Sequence, residues 1–273
     1  MEFADYSGAA RFDFLARQGT VEIEIECKTT SRDTGRKIHQ QEVNRLADLI
    51  LPTRQQLADI AGCHRILVTT PDRLGKSNDE LSGIASVIAQ AAEQKTSVST
   101  ALARAEYIFD DIASWPEPNI DAAGALAFFE GRFGKQNVHL VFHGRPGFSV
   151  VAVMIVSAKA DSVVDAIGAE AKEAANQCSG TRPALIALHL VDQLSPSDLQ
   201  ELLENPSGIH SITHAVFRGM NRLHVDTVAF SVPQAPRTDG AGARWLSGNM
   251  VALYNPQPQF PCGEIRTIFR QEK

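Results

Sequence analysis

Paired cysteines are missing from this chain. Its four cysteines, Cys27, Cys63, Cys178 and Cys262, form no C-x-x-C pair. That spacing argues against a zinc ribbon and a disulfide scaffold, and fits a reducing compartment. Long apolar runs are missing too. The longest, around Val150 to Val156, falls far short of the roughly 20 residues a membrane helix needs. The N-terminus lacks the positive flank of a signal peptide, since Glu2 and Asp5 stand there. A soluble cytoplasmic protein without membrane attachment is the expectation. No G-x-G-x-x-G and no G-x-S-x-G occurs. Gly75-Lys76-Ser77 fails as a P-loop because Thr70 stands where the first glycine belongs. Nor is there an excess of positive charge: 26 Lys and Arg face 32 Asp and Glu, a net charge of -6. This argues against a protein that coats nucleic acid electrostatically, but leaves room for a local basic groove.

What the chain does have is an ordinary globular composition over 273 residues, 44% hydrophobic and 21% charged, enough for one large domain or two modest ones. Arg11 to Leu15 and Val21 to Lys28 read as two strands joined through Gly19, with faultless alternation in the second. The apolar spacing predicts helices over Arg36 to Leu51, stopped by Pro52, and over Asp79 to Glu93, with a buried strand at Arg65 to Thr70 between them. The polar stretch Glu93 to Ser99 suggests a domain junction, giving domains 1–98 and 99–273. In the second, helices are predicted at Ala101 to Ser114 and Ala122 to Phe133. A hairpin follows (Val138 to His143, Phe148 to Ser157), then a helix at Ser162 to Asn176 and a strand at Ala184 to Val191. Short helices at Pro196 to Leu203 and Ile209 to Phe217 precede strands at Val225 to Val232 and Val251 to Tyr254. Both halves thus run hairpin, helix, strand. VEIEIECKTT aligns with VAVMIVSAKA, and HRILVTTPD with ALIALHLVD, which is compatible with an internal duplication whose second copy has Ser157 in place of Glu26.

One constellation carries chemistry: Asp13, twelve residues, then Glu26-Cys27-Lys28. Alternate side chains of a strand point the same way, so Glu26 and Lys28 project side by side. Asp13, on the neighbouring hairpin strand, can reach the same spot. Two carboxylates and the backbone carbonyl of Cys27 are hard oxygen ligands suited to Mg²⁺ or Mn²⁺. A lysine beside such an ion can orient or help deprotonate a water, or hold a phosphate oxygen. The plain alternative is a polar strand face on which Lys28 relieves a crowd of glutamates. Glu22 and Glu24 are expected to face solvent under either reading.

With Phe12-Asp13 and Glu26-Cys27-Lys28 each at a strand end, the first quarter of the chain resembles the PD-(D/E)XK nuclease superfamily. The resemblance implies an α-β-β-β-α-β, restriction-endonuclease-like mixed sheet, here followed by a second α/β domain of unassigned role, a degenerate repeat if the duplication is real. It implies a divalent-metal-dependent nuclease acting on DNA phosphodiester bonds, with Asp13 and Glu26 binding Mg²⁺ or Mn²⁺ and Lys28 assisting the attacking water. Some branches place a glutamine on the following helix, for which Gln40 is preferred to Gln41. Phe12 departs from the family's proline. At most ten residues precede the first core strand, so an acidic residue from a leading helix would have to be Glu2 or Asp5. The alternative is a nuclease-fold module that has lost catalysis and binds nucleic acid or a protein partner.

Arg32, Arg36 and Lys37 flank the start of the next helix. They suit phosphate contacts beside the site, and equally a solvated basic turn. His39 reads as a packed or boundary histidine, His189 as a satisfied core histidine and Cys27 as a buried structural thiol. His210 and His214, at i and i+4, lack a third ligand for zinc.

Overall fold

The computed structural model describes residues 2–3, 11–31, 33–111, 139–145, 147–191, 196–205, 207–233, 237–238, 244–245 and 248–268. The chain is mixed α/β and divides into two compact units, the first made of Met1–Gly35 and Ser162–Lys273, the second of Arg36–Asp161. In chain order the first unit opens with β1 (Glu2–Phe3), β2 (Phe14–Gln18) and β3 (Val21–Thr30). The second unit holds α1 (Gln40–Leu49), α2 (Leu51–Ala58), β4 (Gly62–Thr70) and α3 (Asn78–Gln94). It continues with β5 (Val98–Ser99), β6 (Arg104–Asp110), β7 (His139–Arg145) and β8 (Ser149–Ser157). The chain then returns to the first unit through α4 (Val163–Gln177), β9 (Ala184–Leu190), α5 (Pro196–Glu204) and α6 (Ile209–Phe217). It ends with β10 (Val225–Pro233), the short ribbon β11 (Arg237–Thr238) and β12 (Arg244–Trp245), then β13 (Gly248–Tyr254) and α7 (Gly263–Ile268). Among the described residues no helix is long and apolar enough to cross a membrane.

In the first unit a six-stranded sheet runs β1-β2-β3-β9-β10-β13. The β2–β3 hairpin is antiparallel, and β3, β9 and β10 are parallel. Ile167, Ala171 and Ala174 of α4 and Ile212 and Val216 of α6 bury Ile186 and Leu188 on one face of the sheet. The alanines of α4 are what let the helix lie close to the strands. Ile265 of α7 covers Ile23, Leu185 and Ala229 on the other face. In the second unit a five-stranded sheet runs β5-β6-β4-β8-β7. Its core joins Val43 and Leu46 of α1, Leu57 of α2 and Leu81, Ile84 and Ile88 of α3 to Ile66, Val68, Val151, Val153 and Ile155.

Several elements differ from the sequence reading, each for a local reason. The β2–β3 ladder pairs Gln18 with Val21, so the hairpin turn shrinks to Gly19-Thr20, with Gly19 at φ +62°. Helix α1 starts only at Gln40, because His39 is extended, and Pro52 sits in the first turn of α2 instead of stopping a helix. Proline fits there because a first-turn N–H has no intrahelical partner to lose. Ala101 to Ser114 is not helical within its described part. It contains β6, paired antiparallel with β4. Ala103 and Ala105 are buried and Tyr107 packs on the same core, a period of two. Residues 112–138, including the helix expected at Ala122 to Phe133, lie outside the described residues. The junction expected between residues 98 and 99 falls within β5, which pairs with β6 inside the second unit.

The repeated order of elements has a structural counterpart. Each unit pairs the second strand of a hairpin in parallel with a single strand, β3 with β9 and β8 with β4. The ladders end at Thr30↔Leu190 and at Ser157↔Thr70. Matched at those ends, Val153 and Ile155 stand where Glu26 and Lys28 stand in the first unit. Val153, not Ser157, therefore stands at the position of the acid; in strand register Ser157 is the counterpart of Thr30.

At the end of the first unit's opening segment Gly35 adopts φ +74°, and its carbonyl accepts from the Ser162 N–H at 2.8 Å. A Cβ there would lie 2.7 Å from the Ser162 carbonyl oxygen, whereas one at Gly19 meets nothing within 4 Å. Gly19→Ala is expected to cost about 1 kcal/mol, and Gly35→Ala about 3 kcal/mol because overpacking adds to the strain. Urea denaturation midpoints check this, and equal costs for the two would contradict it.

Candidate functional site

Asp13 lies one residue before β2. Continuing the Phe14↔Ile25 register places it opposite Glu26. The two residues hold each other. The Asp13 N–H donates to Glu26 Oε2 at 3.1 Å, and the Cys27 N–H donates to Asp13 Oδ2 at 2.9 Å. Lys28, two residues along the same face as Glu26, places Nζ 3.2 Å from Glu26 Oε1. From α4, which packs on that face, Glu173 brings Oε1 to 3.5 Å from the same ammonium.

The Glu26 side chain is 3% exposed, while Asp13 is exposed and Lys28 half-buried. Burial raises the Glu26 pKa above its ordinary value, with the Asp13 charge adding and Lys28 and the Asp13 N–H opposing. Burial works against the Lys28 charge. Its hydrogen bonds to, and the charges of, Glu26 and Glu173 more than offset that, so its pKa is also raised and it remains an ammonium at neutral pH.

These groups fit a hard divalent cation. Burial desolvates the Glu26 carboxylate, and Lys28 offsets that only in part. Each carboxylate spends one contact on a backbone N–H and keeps other lone pairs. A residue's C=O leaves a strand on the same edge as its N–H. The Cys27 N–H meets Asp13, so the Cys27 carbonyl is turned to that edge too. Among the described residues no group of three or more His, Cys, Asp or Glu side chains assembles into a metal cluster. Two carboxylates and a carbonyl would leave the remaining positions of an octahedral ion to water.

Other sequence expectations fare unequally. Glu22 does reach the surface, pairing with Arg17 and Arg182 at 2.9 Å each. Glu24 does not face solvent. It is fully buried beneath residues 178–183, accepting from the Ser179 N–H at 2.7 Å, Ser179 Oγ at 2.5 Å and Arg182 Nη1 at 3.2 Å. The glutamate face is covered because β9 continues the sheet in parallel and the α4–β9 connection must pass over it. Cys27 is exposed, not buried, since α7 covers the other face only as far as Ile23 and its neighbours. Desolvation and the charges of Asp13 and Glu26 push its thiol pKa up, away from the reactive thiolate. His189 is exposed and pairs with Ser231 Oγ at 2.9 Å. His39 is half-buried at the N-cap of α1, with Nε2 3.1 Å from the Arg36 carbonyl. His210 and His214 lie exposed on α6. Ser77, the last residue of the failed P-loop, caps α3 in a reciprocal pair with Glu80.

Arg36, Lys37 and Gln40 belong to the second unit, and Arg32 lies outside the described residues. Gln40 donates to Asn44 Oδ1 at 2.8 Å along α1. Glu173 was not legible as a site residue. Only the parallel pairing of β9 with β3 puts the helix before β9 over Glu26 and Lys28, and nothing local to Glu173 announces it.

Comparison with protein-family models, curated proteins and solved structures gave no match to the chain.

The raised pKa of Glu26 has a thermodynamic signature. A carboxyl whose pKa is higher folded than unfolded favours folding below its ordinary value of 4.5, and loses that contribution as pH rises through the folded value. The stability of wild type relative to Glu26→Gln is therefore expected to fall as pH rises from 4 toward 7 without added metal. A difference that is flat or grows with pH, in urea denaturation, contradicts it.

Proposed function

We propose that the protein is a divalent-metal-dependent nuclease hydrolysing DNA phosphodiester bonds, with its centre at Asp13, Glu26 and Lys28. The observation that carries this reading is the cross-strand hold between Asp13 and Glu26 with the Lys28 ammonium 3.2 Å from the buried carboxylate. The hairpin, the covering helix and the parallel strand after it support the nuclease-like core implied by the motif.

Asp13, Glu26 and the Cys27 carbonyl would hold Mg²⁺ or Mn²⁺. When bound, such an ion lowers the pKa of a coordinated water and offsets charge developing on phosphorus. Lys28 enters as an ammonium. It donates hydrogen bonds to the attacking water or to a non-bridging phosphate oxygen, and takes no proton from the nucleophile. Glu173 holds that ammonium from the exposed side, where incoming phosphate would compete for it. The backbone N–H groups of Asp13 and Cys27 fix the carboxylates, so little reorganisation is needed at the moment of reaction.

A second reading is a nuclease-fold module that binds nucleic acid or a protein partner without cutting. One observation favours it: the Lys28 ammonium already neutralises Glu26 and is shared with Glu173, so this charge cluster is balanced by protein groups alone.

Nicking of supercoiled plasmid separates the two. Under the nuclease reading wild type nicks with Mg²⁺ or Mn²⁺ and not with chelator, and Asp13→Asn and Lys28→Ala each lower the rate by about a hundredfold or more. Absence of metal-dependent nicking, or equal rates in all three proteins, would falsify the nuclease reading.

A further inference from the structure

We propose that the second unit carries a separate phosphate-binding site for the backbone of duplex DNA, built around Lys37 and Lys159 at the carboxyl ends of β4 and β8. The proposal rests on reading the protein as one that handles DNA, but not on cleavage. In open α/β sheets ligands sit beyond the carboxyl ends of the parallel strands. In the first unit that end of β3 carries Glu26 and Lys28. At the corresponding positions of β8 the second unit has Val153 and Ile155, both buried, so no copy of the acidic centre exists there. A few residues further on, three separate segments supply a different cluster.

Asp72 stands at its centre. Lys37 Nζ lies 3.4 Å from Asp72 Oδ1 and Lys159 Nζ lies 3.0 Å from Asp72 Oδ2. The two ammonium groups thus grip the two oxygens of one carboxylate, much as they would grip two non-bridging oxygens of a phosphate. The Lys159 hydrogen bond, and the charges of both lysines, hold the Asp72 pKa below the usual carboxylate range. The frame behind them is fixed. Ser157 Oγ donates to the Asp72 carbonyl at 2.6 Å and accepts from the Lys159 N–H at 3.0 Å, while Thr70 Oγ1 donates to the Asp72 carbonyl at 3.2 Å. The Lys37 N–H donates to Asp161 Oδ1 at 2.7 Å, and Arg36 Nη1 lies 3.8 Å from Asp161 Oδ2. Arg73 follows Asp72 in the chain and is exposed. Three cations, Lys37, Lys159 and Arg36, thus pair with two carboxylates, in a chain that is acidic as a whole.

The energetics suit exchange. Lys159 and Asp72 are 62% and 45% exposed, and solvent screening leaves an ion pair at such exposure weak. On the Lys159 side a phosphate can reach the ammonium and compete with the Asp72 carboxylate for it; Lys37 is the more enclosed of the two lysines. Asp72 is an internal competitor that holds the lysines in place and weakens the binding of phosphate.

That role gives a test that a purely structural ion-pair cluster would not pass. Binding of a fluorescent 30-base-pair duplex is measured by anisotropy in chelator, at several salt concentrations. Lys37→Ala and Lys159→Ala are each expected to weaken binding about five- to tenfold at 0.1 M salt and to reduce the salt slope by about 1. Asp72→Asn is expected to tighten binding several-fold. Inorganic phosphate at millimolar concentration should compete with wild type less well than a second duplex does. Unchanged affinity in both lysine variants, weaker binding by Asp72→Asn, or no duplex binding by wild type would overturn the proposal. Duplex binding with these responses, in a protein that fails to nick plasmid, upholds this site while removing the hydrolase reading.

Discussion

A carboxylate buried in the middle of a sheet must be given partners or it will not stay charged. That constraint, applied to Glu26, organises the first unit. The side chain is covered because β3 is an inner strand with β9 alongside and α4 above. Its partners are supplied from three directions: a backbone N–H from Asp13 across the hairpin, an ammonium two residues along the strand, and, through that ammonium, Glu173 from the helix. Glu24 meets the same demand with Ser179 and Arg182. One glutamate is thus satisfied by a closed set of neutral donors and a guanidinium. The other is satisfied by an arrangement whose Asp13 end is open to solvent. The open end is what distinguishes the surroundings of Glu26 from those of Glu24.

The two units use one scheme with different chemistry. Each sets a hairpin strand in parallel with a strand from the other half of the sequence, and each leaves polar side chains at the carboxyl end of that pair. In the first unit the residues of the strand itself are polar. In the second, Val153 and Ile155 belong to the apolar core, and polar groups gather only where the strands have ended. With no buried acid at these positions, the second sheet carries no such desolvation cost and packs as an ordinary apolar layer.

Much of this was legible in the sequence. The alternation of VEIEIECK marks an inner or half-covered strand, Asp13 lies at hairpin distance, and Ser162 to Asn176 carries a clear helical period. Each signal is local, set by a period of two or of 3.6. What could not be read is what depends on pairing between distant segments. Nothing near β3 indicates that β9, some 160 residues away, is its neighbour. Glu24 therefore looked solvent-facing and Glu173 looked irrelevant. The same pairing explains why a junction near residue 98 seemed natural. A linear reading seeks one boundary, while the chain passes between units at Gly35 and again at Asp161. Residues 104–110 misled for another reason: their composition tolerates a helix, and only the antiparallel partner β4 decides for a strand.

The central claim is that Asp13 and Glu26 jointly form a place for a hard divalent cation. Calorimetric titration of Mn²⁺ into the metal-free protein addresses it without relying on any substrate. The account requires one ion per chain in wild type, with binding abolished in both Asp13→Asn and Glu26→Gln while Glu173→Gln retains it. Absence of uptake by wild type, or uptake that survives both substitutions, would contradict it.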